Sequence, residues 1–181
     1  MKPSHSMYLK KLSISAMFLA LALLLPFLTG QIQYIGQMLC PMHLPVLLCG
    51  FLCGPLWGFA VGLAAAPLRS VLFGMPQMPN ALYMAAELAV YGLLTGLFYK
   101  IFPKKKIFIY LSLILAMIGG RTVYAIVFLL ANIAGTDTIG VVFQHILSAT
   151  ILTAWPGIIL QILLIPIILI ILKKVMNKDF I

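Results

Sequence analysis

Arg69, Glu87 and Arg121 stand inside long apolar stretches, and His43 and His145 stand near the ends of two more. A guanidinium taken out of water is costly unless an anion or a set of carbonyls meets it, so an arginine in such a stretch is a functional candidate by default. Glu87 is the one acidic residue in these stretches and can neutralise one arginine. The other then needs an anion, most simply a ligand carboxylate held by both arms of the guanidinium. The competing reading is structural. An arginine can donate to backbone carbonyls at a helix break or extend its head toward the interface, and Arg69, about five residues from the end of its segment, suits that reading best.

Tyr83 and Tyr91 flank Glu87 at i−4 and i+4, on one helix face. With Tyr124 and Trp155 they can wall an amphipathic ligand through ring faces and hydroxyls, although aromatic belts at a bilayer surface use the same residue types. Gln33, Asn80 and Gln144 place amides near segment ends, and His43 can donate to a ligand oxygen or cap the segment it begins. Enzyme chemistry finds no set here. There is no second carboxylate for acid–base work, no H-E-x-x-H, no G-x-S-x-G, and Ser70 has no evident base. Cys49 and Cys53 share a face at i, i+4 but lie in an apolar run, and with Cys40 they read as small buried side chains, so neither metal nor cofactor is expected. An ion channel lacks its acidic rings and filter-like repeat.

Only a lipid environment explains the rest of the composition. Hydrophobic residues make up 64% and charged residues 8% of 181 positions, and the mean hydropathy is +1.16, against about 25% charged in soluble domains. The net charge of +9 does not indicate nucleic acid, because of where the lysines lie. Lys2, Lys10 and Lys11 precede the first apolar run, Lys100, Lys104, Lys105 and Lys106 form a central cluster, and Lys173, Lys174 and Lys178 follow the last run. Those are segment flanks, as the positive-inside rule requires. The length allows roughly six spans of about 20 residues and leaves no room for a nucleotide-binding domain. No G-x-x-x-x-G-K-[ST] is present, so any ATP-driven step needs other subunits.

The expectation is an all-α integral membrane protein, one transmembrane domain over residues 1–181 with helices at about 10–28, 43–54, 57–74, 80–99, 107–133 and 141–172, and both termini cytoplasmic. The first run is too long for a signal peptide and lacks an A-x-A site, so it reads as a retained helix. Ala16 and Ala20 give it a flat strip where another helix can approach closely. Residues 29–43 read as a polar outer loop or a cap over a cavity. The second and third segments form a hairpin turning at Gly54-Pro55, and Gly50, Gly54, Gly58 and Gly62 predict very close packing on both arms. Pro67, Pro156 and Pro166 are candidate kinks.

The stretch MHLPVLLCGFLCGPLWGFAVG (Met42 to Gly62) resembles the H-[IL]-P-V-x-x-x-G-x-x-x-G-P-x-x-G signature of one branch of the substrate-binding S components of energy-coupling factor (ECF) vitamin transporters. Size, span count and the Ala16–Ala20 motif extend the resemblance over nearly the whole chain. It implies capture of a vitamin under the outer loops, then docking through the alanine strip onto a membrane coupling subunit that carries two ATPases. Val71 to Pro76 and Gly120 to Val123 resemble the pantothenate branch. Nicotinate also fits one carboxylate and an aromatic wall; a neutral pyrimidine or a queuosine precursor fits if the arginines are internally paired; thiamin would want more acid, and cobalamin is too large for the short loops. A ligand-free assembly subunit is the alternative from another class. It requires a sealed core in which Glu87 bridges both arginines, whereas an outer cavity lined by Arg69 or Arg121 favours transport.

Overall fold

The computed structural model describes residues 5–29, 32–103, 105–133, 144, 148 and 153–175, and every regular element among them is helical. Helix α1 (His5–Leu24) passes into a 3-10 turn (Leu25–Thr29), because Pro26 lacks the N–H that would continue the α pattern. The connection expected as a loop or cap contains a short helix, α2 (Gln33–Leu39), which ends at Cys40 in the left-handed conformation (φ 46°, ψ 52°). Helix α3 (His43–Cys53) and helix α4 (Pro55–Phe73) meet at Gly54, whose φ of 97° and ψ of 176° only glycine adopts readily. Pro55 then occupies the first position of α4, where a missing N–H costs nothing. Helices α5 (Asn80–Ile101), α6 (Lys106–Ile133) and α7 (Trp155–Val175) complete the bundle.

Two differences from the sequence expectation concern prolines. Helix α4 runs unbroken through Pro67. Pro156 lies in the first turn of α7, where proline starts a helix, and only Pro166 is internal. Residues 134–143, 145–147 and 149–152 lie outside the described residues, and with them the first part of the segment expected at 141–172.

Five of these helices are long and apolar enough to cross a membrane: α1 with its 3-10 turn, α4, α5, α6 and α7. The second expected span is different. Helix α3 has 11 residues, about 16 Å of rise against a hydrocarbon core of about 30 Å. It compensates by lying inside the protein. All its residues but Leu44 are buried, and α1, α4, α5 and α7 pack around it. The outer surface of the bundle is apolar, with Leu12, Met17, Leu56, Val71, Ile118 and Ile171 exposed, as a lipid-facing surface requires.

Glycine makes this burial possible. A β-carbon on Gly92 of α5 would collide with the backbone of Gly58 on α4, one on Gly62 with the Leu88 carbonyl, and one on Gly58 would stand 2.7 Å from Cα of Gly50 on α3. Three helices therefore meet backbone to backbone. The close approach expected on both arms of the hairpin is present at Gly50, Gly58 and Gly62, which face α5, while a β-carbon on Gly54 would meet nothing within 4 Å and that glycine serves the turn.

One end of the bundle gathers the lysines. Tyr8 of α1 packs on Trp57 of α4 with ring centroids 5.2 Å apart, and Gly96 of α5 abuts Pro55. The starts of α1 and α4 and the end of α5 thus share a level, and Lys10, Lys11 and Lys100 stand there. Gly92→Ala is expected to destabilise the protein by about 2 kcal/mol or more, read as a lower unfolding temperature in detergent. Gly36→Ala, where the nearest atom is 4.0 Å away, should change stability by less than about 0.5 kcal/mol.

Candidate functional site

Helix α3 begins level with Glu87, seven residues into α5 and so about 10 Å below the start of that helix. The space above its first turn is not filled by α3 itself. A cavity of about 520 Å³ lies there, at the end of the bundle away from the lysines. Its wall comes from the 3-10 turn (Pro26, Thr29), α2 and its exit (Gly36, Cys40), and the Met75–Pro79 connection, which contains two cis prolyl bonds. The start of α5 and the end of α6 add Asn80, Tyr83, Met84, Tyr124, Phe128 and Asn132.

The floor is built on one carboxylate. Oε1 of Glu87, a residue 2% exposed, stands 3.2 Å from Nη1 of Arg121 and 3.6 Å from Nε2 of His43, and the Tyr91 hydroxyl donates to it at 2.9 Å. Three elements thus converge, α3, α5 and α6. Gly120 lets the Tyr91 ring lie directly against α6, because a β-carbon there would collide with it. Arg121 also donates through Nη2 to the Cys40 thiol at 3.6 Å. Its Nε is buried without a hydrogen-bond partner, as is Nδ1 of His43.

Arg69 is separate from this cluster. It lines the cavity yet is 2% exposed, held between the rings of Phe27 and Phe73 with its guanidinium carbon 5.0 and 5.5 Å from their centroids. It donates to the carbonyl of Leu23. In the i→i−3 pattern of the 3-10 turn that carbonyl would be served by the N–H of residue 26, which is a proline. Arg69 therefore satisfies an acceptor that the helix break exposes, and no carboxylate pairs with it among the described residues.

The structure brings His43, Arg69, Asn80, Tyr83, Glu87, Arg121 and Tyr124 together around one cavity. Tyr124 donates to Oδ1 of Asn80 at 3.2 Å and stacks on Phe128, against which Tyr83 sits edge-on, so α5 and α6 present an aromatic corner. Tyr91 lies beneath the floor rather than in the wall, since its hydroxyl supports Glu87 from behind. Trp155 is 57% exposed and Gln144 is exposed; neither is part of the wall. The side chain of Gln33 and all of His145 lie outside the described residues. Sequence reasoning missed Gln161, an amide in an apolar run that is 1% exposed and donates to the Cys40 carbonyl at 3.4 Å; its polarity in that run was the available signal. It also missed the Phe27–Phe73 clamp and the methionine lining (Met42, Met75, Met78, Met84), which nothing in local spacing marks.

Breaking the floor strands a buried charge. Glu87→Gln is expected to cost about 3 kcal/mol, measured by unfolding in detergent, and a second change, Arg121→Gln, should recover part of that loss as a negative coupling energy in a double-mutant cycle.

Residues 10–170 match the family model described as ECF transporter, substrate-specific component. Among curated proteins and among solved structures, no match is found. The match covers most of the chain, and the bundle of apolar helices with a cavity at one end agrees with it. The chain belongs to the substrate-specific components of ECF transporters, multi-pass membrane subunits that select what the transporter carries.

Proposed function

We propose that this protein captures a small anionic vitamin, with pantothenate the lead candidate, at an outward-facing site, and delivers it by docking on a membrane coupling subunit driven by two ATPases. The observation that carries this reading is Arg69, a buried cation on the cavity wall with no acidic partner among the described residues, beside a floor where Glu87 already neutralises Arg121. Such a wall favours a ligand with one negative charge. A cavity bordered by both arginines speaks against the sealed core that a ligand-free assembly subunit would need.

Six crossings with both termini cytoplasmic fit the same reading. Helix α3 and the α2 cap together count as one crossing whose outer half is broken open, and irregular backbone at membrane depth is tolerated where it lines a cavity. The lysine-bearing end then faces the cytoplasm and the cavity faces out. Ala16 and Ala20 are both exposed on α1, so the small-residue strip is available to the coupling subunit.

Calorimetry on the purified protein in detergent, with pantothenate and nicotinate, tests the ligand. Tight binding of one acid, weakened at least about tenfold by Arg69→Ala, is expected. Absence of binding to both by a folded protein would rule out the anionic reading and direct attention to neutral pyrimidines and queuosine precursors. Ala16→Leu with Ala20→Leu should leave ligand affinity within about twofold and abolish uptake in vesicles that contain the complete transporter.

A further inference from the structure

We infer that the ligand has two recognised ends: an anionic group read by Arg69, and an uncharged hydroxyl or amide seated at the floor between His43 and Arg121. This rests on the anionic-substrate reading above and divides the labour within it. The two guanidiniums are not equivalent. Arg69 sits four residues before the end of α4, about 6 Å from its last residue, with Leu23, Phe27 and Phe73 around it. Arg121 is held by Glu87 and Cys40 at the floor. None of these partners is shared.

Charge balance assigns the ends. At the floor, Arg121 is already matched by Glu87 at 3.2 Å, and His43 stands 3.6 Å from the same oxygen. A ligand carboxylate there would place a second anion against a buried one, with a single guanidinium between two carboxylates. At Arg69 the same carboxylate meets a cation held by a neutral carbonyl and two ring faces. The anion therefore belongs with Arg69.

The floor still asks for something. Arg121 Nε and both ring nitrogens of His43 are buried atoms with no hydrogen-bond partner, on two residues that line the cavity, and His43 is 3% exposed. Leaving such groups unmet is costly. A guanidinium N–H can only donate, and a neutral imidazole offers one donor and one acceptor. A hydroxyl or amide, which accepts from one and exchanges a hydrogen bond with the other, satisfies both without adding charge. A cavity of 520 Å³ equals the liquid volume of about 17 waters, and Arg69 and the floor residues all line it. Pantothenate carries a carboxylate at one end and hydroxyls at the other.

Matched pairs of ligands test the assignment by calorimetry on the full chain in detergent: pantothenate against pantothenol, its alcohol, and nicotinate against nicotinamide. The unmodified protein should prefer the acid of the bound pair by about tenfold or more. Arg69→Gln should reduce that preference to less than about twofold, and Arg69→Lys should keep the preference at lower affinity. His43→Phe should weaken acid and alcohol by the same factor, about tenfold, and leave their ratio intact. Each variant is checked for cooperative unfolding, and Arg69→Lys keeps the test decisive if Arg69→Gln does not fold. An acid preference that survives Arg69→Gln, or is lost in Arg69→Lys, or collapses in His43→Phe, overturns the division between the two ends while leaving an anionic substrate in place. Failure of both acids to bind overturns both readings together.

Discussion

The contact between Glu87 and Arg121 is the interaction on which the cavity-bearing half of this protein depends. It joins α5 to α6 at membrane depth and takes in His43 of α3 and Tyr91 beneath. A single buried carboxylate with several donors is stable only when all of them are in place, since each removed partner leaves charge without solvent. That requirement fixes the level at which α3 begins. Because α3 begins there, and not level with the start of α5, the space above it becomes a cavity instead of a packed core.

Such a short helix inside a membrane protein must be held by packing. Lipid offers no hydrophobic drive between helices, so association depends on close van der Waals contact. Gly50, Gly58, Gly62, Gly92 and Gly96 provide it by bringing α3, α4 and α5 into backbone contact. The close-packed half and the hollow half are thus two consequences of one arrangement: tight glycine packing below, a polar floor between, and the α2 cap and Met75–Pro79 connection around the space above.

Arg69 shows how one residue can serve structure and recognition together. The proline that ends α1 leaves the Leu23 carbonyl without its backbone donor, and the guanidinium supplies one while Phe27 and Phe73 enclose its faces. Those contacts orient the cation without neutralising it. In the reading proposed here, the orientation is what makes it available to an anion, and it places the recognising group beside the end of the helix that carries Ala16 and Ala20.

Composition and lysine placement by themselves determined an all-helical membrane bundle with one basic end, because water and lipid sort charged and apolar residues whatever the detailed packing. The scarcity of charge in the apolar runs made Arg69, Glu87 and Arg121 stand out, and the Gly-Pro pair at Gly54-Pro55 located the hairpin turn through backbone restriction alone. Only the tertiary structure decided that Glu87 pairs with Arg121 and not Arg69, since pairing depends on the rotation and depth of three helices far apart in sequence. It also decided that α3 stops short and that Tyr91 supports the floor from behind. The roles of Cys40, Gln161 and the Phe27–Phe73 clamp were settled there as well. These follow from contacts between residues dozens of positions apart, and local spacing carries no record of which distant side chain will fill a given gap.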